Sequence, residues 1–220
     1  GGTPTALNAK QLERVIAAAQ REFPESIEWT CEAGRPDTID RDKLNVLLSA
    51  GITRISINPQ TLCDDTLELI GRRHTTKETI EAYELARGMG FTDINMDLIA
   101  ALPGEDMDTF EKSMAGVCEL APDSVTVHTL AIKRASKLHE KNYTQVGADT
   151  AGRMVEQARD MAYAAGYRPY YLYRQKYMAG NLENVGYAKP DKACLYNIDV
   201  MEETTHNLAL GAGAISKWIF

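Results

Sequence analysis

No stretch of this sequence brings cysteines close together. Its four, Cys31, Cys63, Cys118 and Cys194, are scattered along the chain. They form no short metal-ligand motif, and in a chain of this size they read as reduced thiols of a cytoplasmic protein. Cys31 falls in a strand pattern and Cys118 on an apolar helix face. Both read as core residues, since free cysteine is commonly buried. Basic charge is also scarce: 24 Lys and Arg stand against 31 Asp and Glu, a net charge of −7. Without a Lys/Arg cluster the pattern offers no phosphate-tracking face, and nucleic acid is not an expected partner. No apolar run reaches the roughly 18 residues that a membrane span needs. No secretory signal opens the chain; it begins at Gly1-Gly2, and its start reads as cut. Low-complexity linkers and internal repeats are missing as well.

What is present is an alternation of strand and helix patterns. The chain has 220 residues and is 44% hydrophobic, enough for one sizeable core and a small second lobe. Asn8 with Gln11 has the form of a capping box, and Leu12, Val15, Ile16, Ala19 and Phe23 then make one apolar helix face. A strand is predicted over 26–32. A helix opened by Asp40 and stopped by Gly51 follows, then a strand at 54–58. A short helix is predicted at 64–70, and a longer one from Thr75, with Glu78 in capping-box position. Strands at 93–99 and 124–130 flank a helix through Phe110, Met114 and Val117. Residues 131–148 read as irregular. A last helix through Met154, Ala158 and Met161 leads to a Tyr-rich segment. This spacing predicts right-handed βαβ units and a mostly parallel sheet.

The predicted strands are polar on one face. Ile27, Trp29 and Cys31 oppose Glu28, Thr30 and Glu32. Ile55 and Ile57 oppose Ser56 and Asn58. Ile94, Met96 and Leu98 oppose Asn95 and Asp97; Val125 and Val127 oppose Thr126 and His128. Fully buried parallel strands usually read as continuous apolar runs, and packed barrels fill their lumen with branched aliphatics. A lumen lined by Glu, Asn, Asp and His is poor core material. It fits an open or partial barrel holding a polar ligand at the strand C-termini. The alternative is an antiparallel sheet with one face in water.

Single residues carry two readings each. Gly1-Gly2-Thr3-Pro4-Thr5 allows close backbone approach to a ligand, or is a plain turn. Glu32 can accept bonds from an ammonium or a ribose, or cap a helix, or pair with Arg35. Gln60 lies just past a strand end. Asp97, inward between Met96 and Leu98, needs a specific partner. Arg72 and Arg73 can hold a ligand carboxylate or form a solvated helix end. His128 reads as a hydrogen-bonded barrel residue sooner than as a ligand. Leu210 to Ser216 can wrap a ligand or make a packing turn.

In order along the chain, GGTPT, IEWTCEAGRPD, RISINPQTL, IGRRH, INMDLIAALPGE and LGAGAIS resemble the radical S-adenosylmethionine (SAM) family of oxygen-independent coproporphyrinogen III oxidases. YYLYRQKYMAGNLENVGY resembles its HemZ-type branch. The resemblance implies an α/β fold: a partial (β/α)6-type barrel over residues 1–166 missing its first strand, and a small α/β extension over 167–220 that completes the site. It implies SAM contacts from Gly1, Gly2, Thr3, Glu32, Gln60, Arg72, Asp97, Ala131 and Ile215, with Ala131 and Ile215 resting on the resemblance alone. It also implies a [4Fe-4S] cluster on a CxxxCxxC motif upstream of the glycines. The four cysteines here cannot replace that motif, so residues 1–220 are expected to be inert alone. The implied partners are an electron donor and coproporphyrinogen III, whose propionates become vinyl groups. Arg73 and Arg174 are candidates for holding those propionates. The competing expectations are a heme-binding carrier of the same family and a radical SAM enzyme with another substrate.

Overall fold

The structure is a computed structural model that describes residues 2–131, 146–174, 182–211 and 213–219. Along it run α1 (Ala9–Glu22), β1 (Thr30–Gly34), α2 (Arg41–Ser49), β2 (Arg54–Ile57), α3 (Asp64–Leu69), α4 (Thr76–Gly88), β3 (Asp93–Ala100), α5 (Met107–Leu120), β4 (Ser124–Thr129), α6 (Ala148–Ala164), β5 (Arg168–Tyr173), β6 (Asn184–Ala188) and α7 (Leu195–Glu202). Both expected capping boxes form: Asn8 with Gln11 and Thr75 with Glu78 exchange reciprocal bonds. Asp40 and Asp106 cap α2 and α5 by accepting from backbone N–H groups three residues on. Each such cap satisfies a donor that the helix leaves unpaired.

The strands form a single six-stranded sheet in the order β1-β2-β3-β4-β6-β5. The first four are parallel, as the βα alternation requires. β6 runs antiparallel to β4, and β5 antiparallel to β6. β5 therefore points the same way as β1 to β4, and five strand C-termini share one edge. β5 and β6, which fall within the extension over 167–220 that the resemblance implies, are thus hydrogen-bonded into the same sheet.

One face of the sheet is apolar and covered by helices. Ile55, Ile57, Ile94, Met96, Leu98 and Val125 are fully buried there with Leu44, Leu47, Phe110 and Met154 from the helices. In β3 the burial alternates residue by residue, which is the signature of a strand with one covered and one polar face.

The first strand departs from expectation. It spans 30–34 rather than 26–32, and Ile27 is 90% exposed. Glu28 is engaged outside the sheet, where its carboxylate accepts from Leu195 N at 2.9 Å and Tyr196 N at 3.2 Å. An anion at the first turn of α7 complements its unpaired N–H groups. That contact lies far away in sequence and pulls residues 26–29 out of the ladder.

Candidate functional site

The polar face of the sheet is a continuous hydrogen-bonded file. At its lower end Arg54 Nη1 donates to Asp93 Oδ2 at 2.7 Å and to the Lys192 carbonyl at 3.1 Å, and Nη2 reaches Ser124 Oγ at 3.3 Å. Above, Ser124 Oγ donates to Asn95 Oδ1 at 3.0 Å, and Asn95 Nδ2 donates to Ser56 Oγ at 2.9 Å and to Asp97 Oδ1 at 2.7 Å. Apart from the Lys192 carbonyl, every residue of this file sits at an alternate strand position, so the pleat aims their side chains at the same side.

The upper end differs in kind, since its charges are not neutralised by one another. Glu32 faces Asp97, and its carboxyl is pushed above the usual range by crowding from the surrounding protein and then by the charge of Asp97; hydrogen bonds from Ser56 and Asn58 hold it back. Its outer side remains open to solvent. Arg72 is half-buried, and its guanidinium makes no hydrogen bond or ion pair among the described residues. Burial, followed by repulsion from Arg35, pulls its pKa down, while Asp37 and Asp97 oppose that. Arg35 is not the partner of Glu32: it forks onto Asp37, which removes the ion-pair reading of Glu32.

Gln60 is buried and holds φ = 72°, a left-handed backbone that non-glycine residues rarely adopt. The fold imposes it by locking Gln60 to β3: Gln60 N donates to the Asp97 carbonyl at 2.9 Å, and Ile99 N donates to the Gln60 carbonyl at 2.8 Å. Just beyond, Thr61 Oγ1 donates to buried Glu105, and Leu62 N donates to Ser113 Oγ at 3.0 Å. Backbone strain of this kind persists only where the surroundings over-determine it, and it gathers at functional sites. Next to it His74 is buried, with Nε2 bonded to the Pro59 carbonyl at 3.1 Å. Burial lowers its pKa, and Arg72 adds to that.

Gly2 and Thr3 lie at the C-terminal end of β1, with Thr3 Oγ1 3.6 Å from where a Cβ on Gly34 would stand. The segment is tied there by a residue the sequence did not single out: Thr5, fully buried, donates to the Ala33 carbonyl at 2.9 Å. Ala131 follows the end of β4 and is half-buried. The structure thus gathers Gly2, Thr3, Glu32, Gln60, Arg72 and Asp97 at one end of one sheet face; Gly1 lies outside the described residues. Ile215 is 81% exposed, in a C-terminal stretch where Leu210 and Trp218 are exposed too.

β5 closes the far side of this face with aromatic rings. Tyr171 lies across Gly186, where an added Cβ would stand 1.9 Å from its ring, and its hydroxyl meets Thr126 Oγ1 at 3.3 Å. Tyr171 and Tyr173 stack with centroids 6.3 Å apart. Tyr173 OH bonds His128 Nδ1 at 3.2 Å. Arg174 follows, paired with Glu183 at 2.8 Å, so a carboxylate ligand would have to displace Glu183. Arg73 is exposed.

No three His, Cys, Asp or Glu side chains among the described residues form a metal site. All four cysteines are free. Burial, with the Glu32 charge, pushes Cys31 up to about 12; burial also raises Cys118 and Cys194. The four cysteines are not gathered into any such group, so these positions do not fit a cluster. No helix of the described residues is long and apolar enough to cross a membrane.

Comparison with known proteins agrees with this architecture. The Radical SAM superfamily model matches residues 1–115. The oxygen-independent coproporphyrinogen-III oxidase-like protein HemZ of Bacillus subtilis is 47% identical over 224 residues, which is 100% of this chain and 45% of that protein. The heme chaperone HemW of the same organism is 36% identical over 136 residues, 60% of this chain and 36% of that one. The chain thus spans less than half the length of either. The solved coproporphyrinogen III oxidase HemN of Escherichia coli superposes with a TM-score of 0.76 at 23% identity, over 98% of this chain and 50% of its own. The chain belongs to the radical SAM superfamily.

Proposed function

We propose that the protein containing these residues decarboxylates two propionates of coproporphyrinogen III oxidatively to vinyl groups, giving protoporphyrinogen IX for heme synthesis in the cytoplasm. The observation that carries this reading is the upper end of the polar face. Two carboxylates that repel each other, and an arginine without a counter-ion among the described residues, stand beside an aromatic wall.

SAM fits that end. Its ammonium and ribose hydroxyls are donors, and Glu32, Asp97 and Gln60 offer acceptors. Its carboxylate answers the charge of Arg72. Gly2 and Thr3, with Gly1 before them, border the methionine portion; Ala131 and Ile215 border the adenosine. When bound and reduced, SAM supplies a hydrogen-abstracting radical, and the residues of this chain bind, orient and shield it. The substrate lies against Tyr171 and Tyr173, with Arg73 and Arg174 reaching its propionates. The cysteines present hold no cluster, so residues 1–220 alone carry no turnover; the full-length protein needs a cluster and an electron donor.

A second reading follows from the similarity to HemW: a heme-binding carrier with the same barrel. The test uses full-length protein, reconstituted without oxygen and given SAM, a reductant and coproporphyrinogen III. Substrate-dependent 5′-deoxyadenosine together with vinyl product is the expected result. Deoxyadenosine without vinyl product rejects the substrate. Neither product, with tight heme binding, replaces the decarboxylase by the carrier.

A further inference from the structure

Three side chains from three strands line up across the upper end of the polar face. Asp97 on β3 lies 3.5 Å from His128 Nε2 on β4. His128 Nδ1 lies 3.2 Å from the Tyr173 hydroxyl on β5. The sheet order places β3 beside β4 and β6 between β4 and β5, so Tyr173 reaches His128 across a strand. Tyr173 is level with Asn184 of β6; two residues along, Gly186 admits the Tyr171 ring, and Tyr173 stacks parallel to that ring. Both Asp97 and His128 are largely shielded, with side-chain exposures of 17% and 25%.

One tautomer lets every contact of this chain run in a single direction. An ionised carboxylate only accepts hydrogen bonds, so His128 Nε2 must carry the proton that faces Asp97. In a neutral imidazole Nδ1 is then the acceptor, and Tyr173 O–H donates to it. Asp97 Oδ1 is already held by Asn95 Nδ2 at 2.7 Å. Asn95 thus holds one oxygen, and His128 lies nearest the other. The 3.5 Å leg is longer than a good hydrogen bond, and such legs tighten when ligand arrives.

We propose that His128 and Tyr173 are positioning residues that orient the Asp97 carboxylate toward a vicinal diol of the bound nucleoside, and that filling the diol site tightens the Asp97–His128–Tyr173 relay. The proposal rests on reading Asp97 as a SAM contact. It adds a physical link from the aromatic wall of the substrate side to the cofactor side, carried by one imidazole of defined tautomer.

The test is made on full-length protein with its cluster reconstituted, using SAM and its 2′-deoxyribose analogue as probes. Wild type should bind SAM more tightly than the analogue. Tyr173→Phe removes one hydroxyl, keeps the stacked ring, and should weaken SAM binding roughly two- to tenfold, the effect of one hydrogen bond. It should weaken the analogue less, so the ratio between the two shrinks. His128→Gln, with an amide N–H that can still face Asp97, should retain more of that ratio than His128→Ala. Nitrogen NMR of His128 is the readout that a purely structural role would not move: a pure Nε2–H tautomer in wild type, sharpened by SAM, and a tautomer mixture in Tyr173→Phe. Wild-type SAM binding with an unchanged ratio in Tyr173→Phe, or an Nδ1–H tautomer in wild type, overturns the relay alone. Failure of wild type to bind SAM overturns the relay's role together with the site reading on which it stands.

Discussion

The two ends of the polar face are built from the same residue types, yet they are wired oppositely. At the lower end each arginine sits beside a carboxylate, although Asp93 Oδ1 finds no hydrogen-bond partner among the described residues. Arg54 meets Asp93, a backbone carbonyl and a serine. Nearby, Arg87 meets Asp123 at 2.7 Å, and Asp123 also accepts from Ile94 N at 2.9 Å. At the upper end the charge of Asp97 pushes the Glu32 carboxyl up after burial does, the Arg72 guanidinium makes no ion pair among the described residues, and Gln60 sits in a strained backbone region. A satisfied network holds a fold together, whereas an unsatisfied one, costly when buried, is kept for what it will bind. Changes at the lower end should therefore cost stability, and changes at the upper end should cost affinity.

The largest expected effect tests the lower end. Burial raises the pKa of Asp93 even beside Arg54, whereas Arg54, opposed by its own burial, is raised by the charge of Asp93; the partners are each needed by the other. Arg54→Ala strands a buried carboxylate and should cost about 3–5 kcal/mol. Urea denaturation reads this directly. A double change, Arg54→Met with Asp93→Leu, should restore most of it by removing both charges together. A near-neutral Arg54→Ala would erase the contrast between the two ends.

The aromatic wall gives the next effect. Gly186→Ala forces the Tyr171 ring off the sheet and should cost about 1–3 kcal/mol, seen as a lowered midpoint in the same denaturation series. Gly186→Ala paired with Tyr171→Leu should recover part of that loss by vacating the space. A fully stable Gly186→Ala would show that Tyr171 does not lie on the face at all.

How far the sequence shows this follows from what is local. The alternation in 93–100 exposes both the buried run Ile94-Met96-Leu98 and the inward Asn95 and Asp97, because strand period is a property of adjacent residues. The capping boxes at Asn8 and Thr75 are legible for the same reason. The start of β1 is not, since Glu28 is claimed by α7 across 167 residues. The place of β5 and β6 in the sheet also escapes local reading, as their antiparallel pairing with β4 breaks the βα alternation. Thr5 and Glu105 are missed because a lone buried Thr or Glu has no pattern; only the partners Ala33 and Thr61 reveal them. Tyr171 and Tyr173 are visible as a Tyr-rich run, but their face depends on Gly186, which is meaningful only once β6 is placed.

Upper-end predictions are about ligand. Asp97→Asn keeps the size and one acceptor while removing a charge that repels Glu32. It should leave stability unchanged or slightly raised, and weaken SAM by roughly ten- to a hundredfold, the loss of one charged hydrogen bond. Calorimetric titration of the reconstituted full-length protein measures this. A destabilised Asp97→Asn with intact affinity would invert the comparison.

Glu32 gives the smallest effect and the clearest sign. Its folded pKa lies above the ordinary carboxylate value because of crowding and then Asp97. Between its unfolded and folded pKa values the native state therefore holds a proton that the unfolded chain has released. Stability falls as pH rises through that interval, and Glu32→Gln should flatten the fall. A cationic ligand favours the ionised carboxylate, so SAM binding should release a proton there, and affinity should rise with pH over the same interval. Glu32→Gln should abolish that slope while leaving the structure intact. Proton release is measured by titrating the ligand in two buffers of different ionisation enthalpy. If the slope survives in Glu32→Gln, the titrating group is elsewhere, and the upper end owes its ligand affinity to Arg72 and Asp97 without help from Glu32.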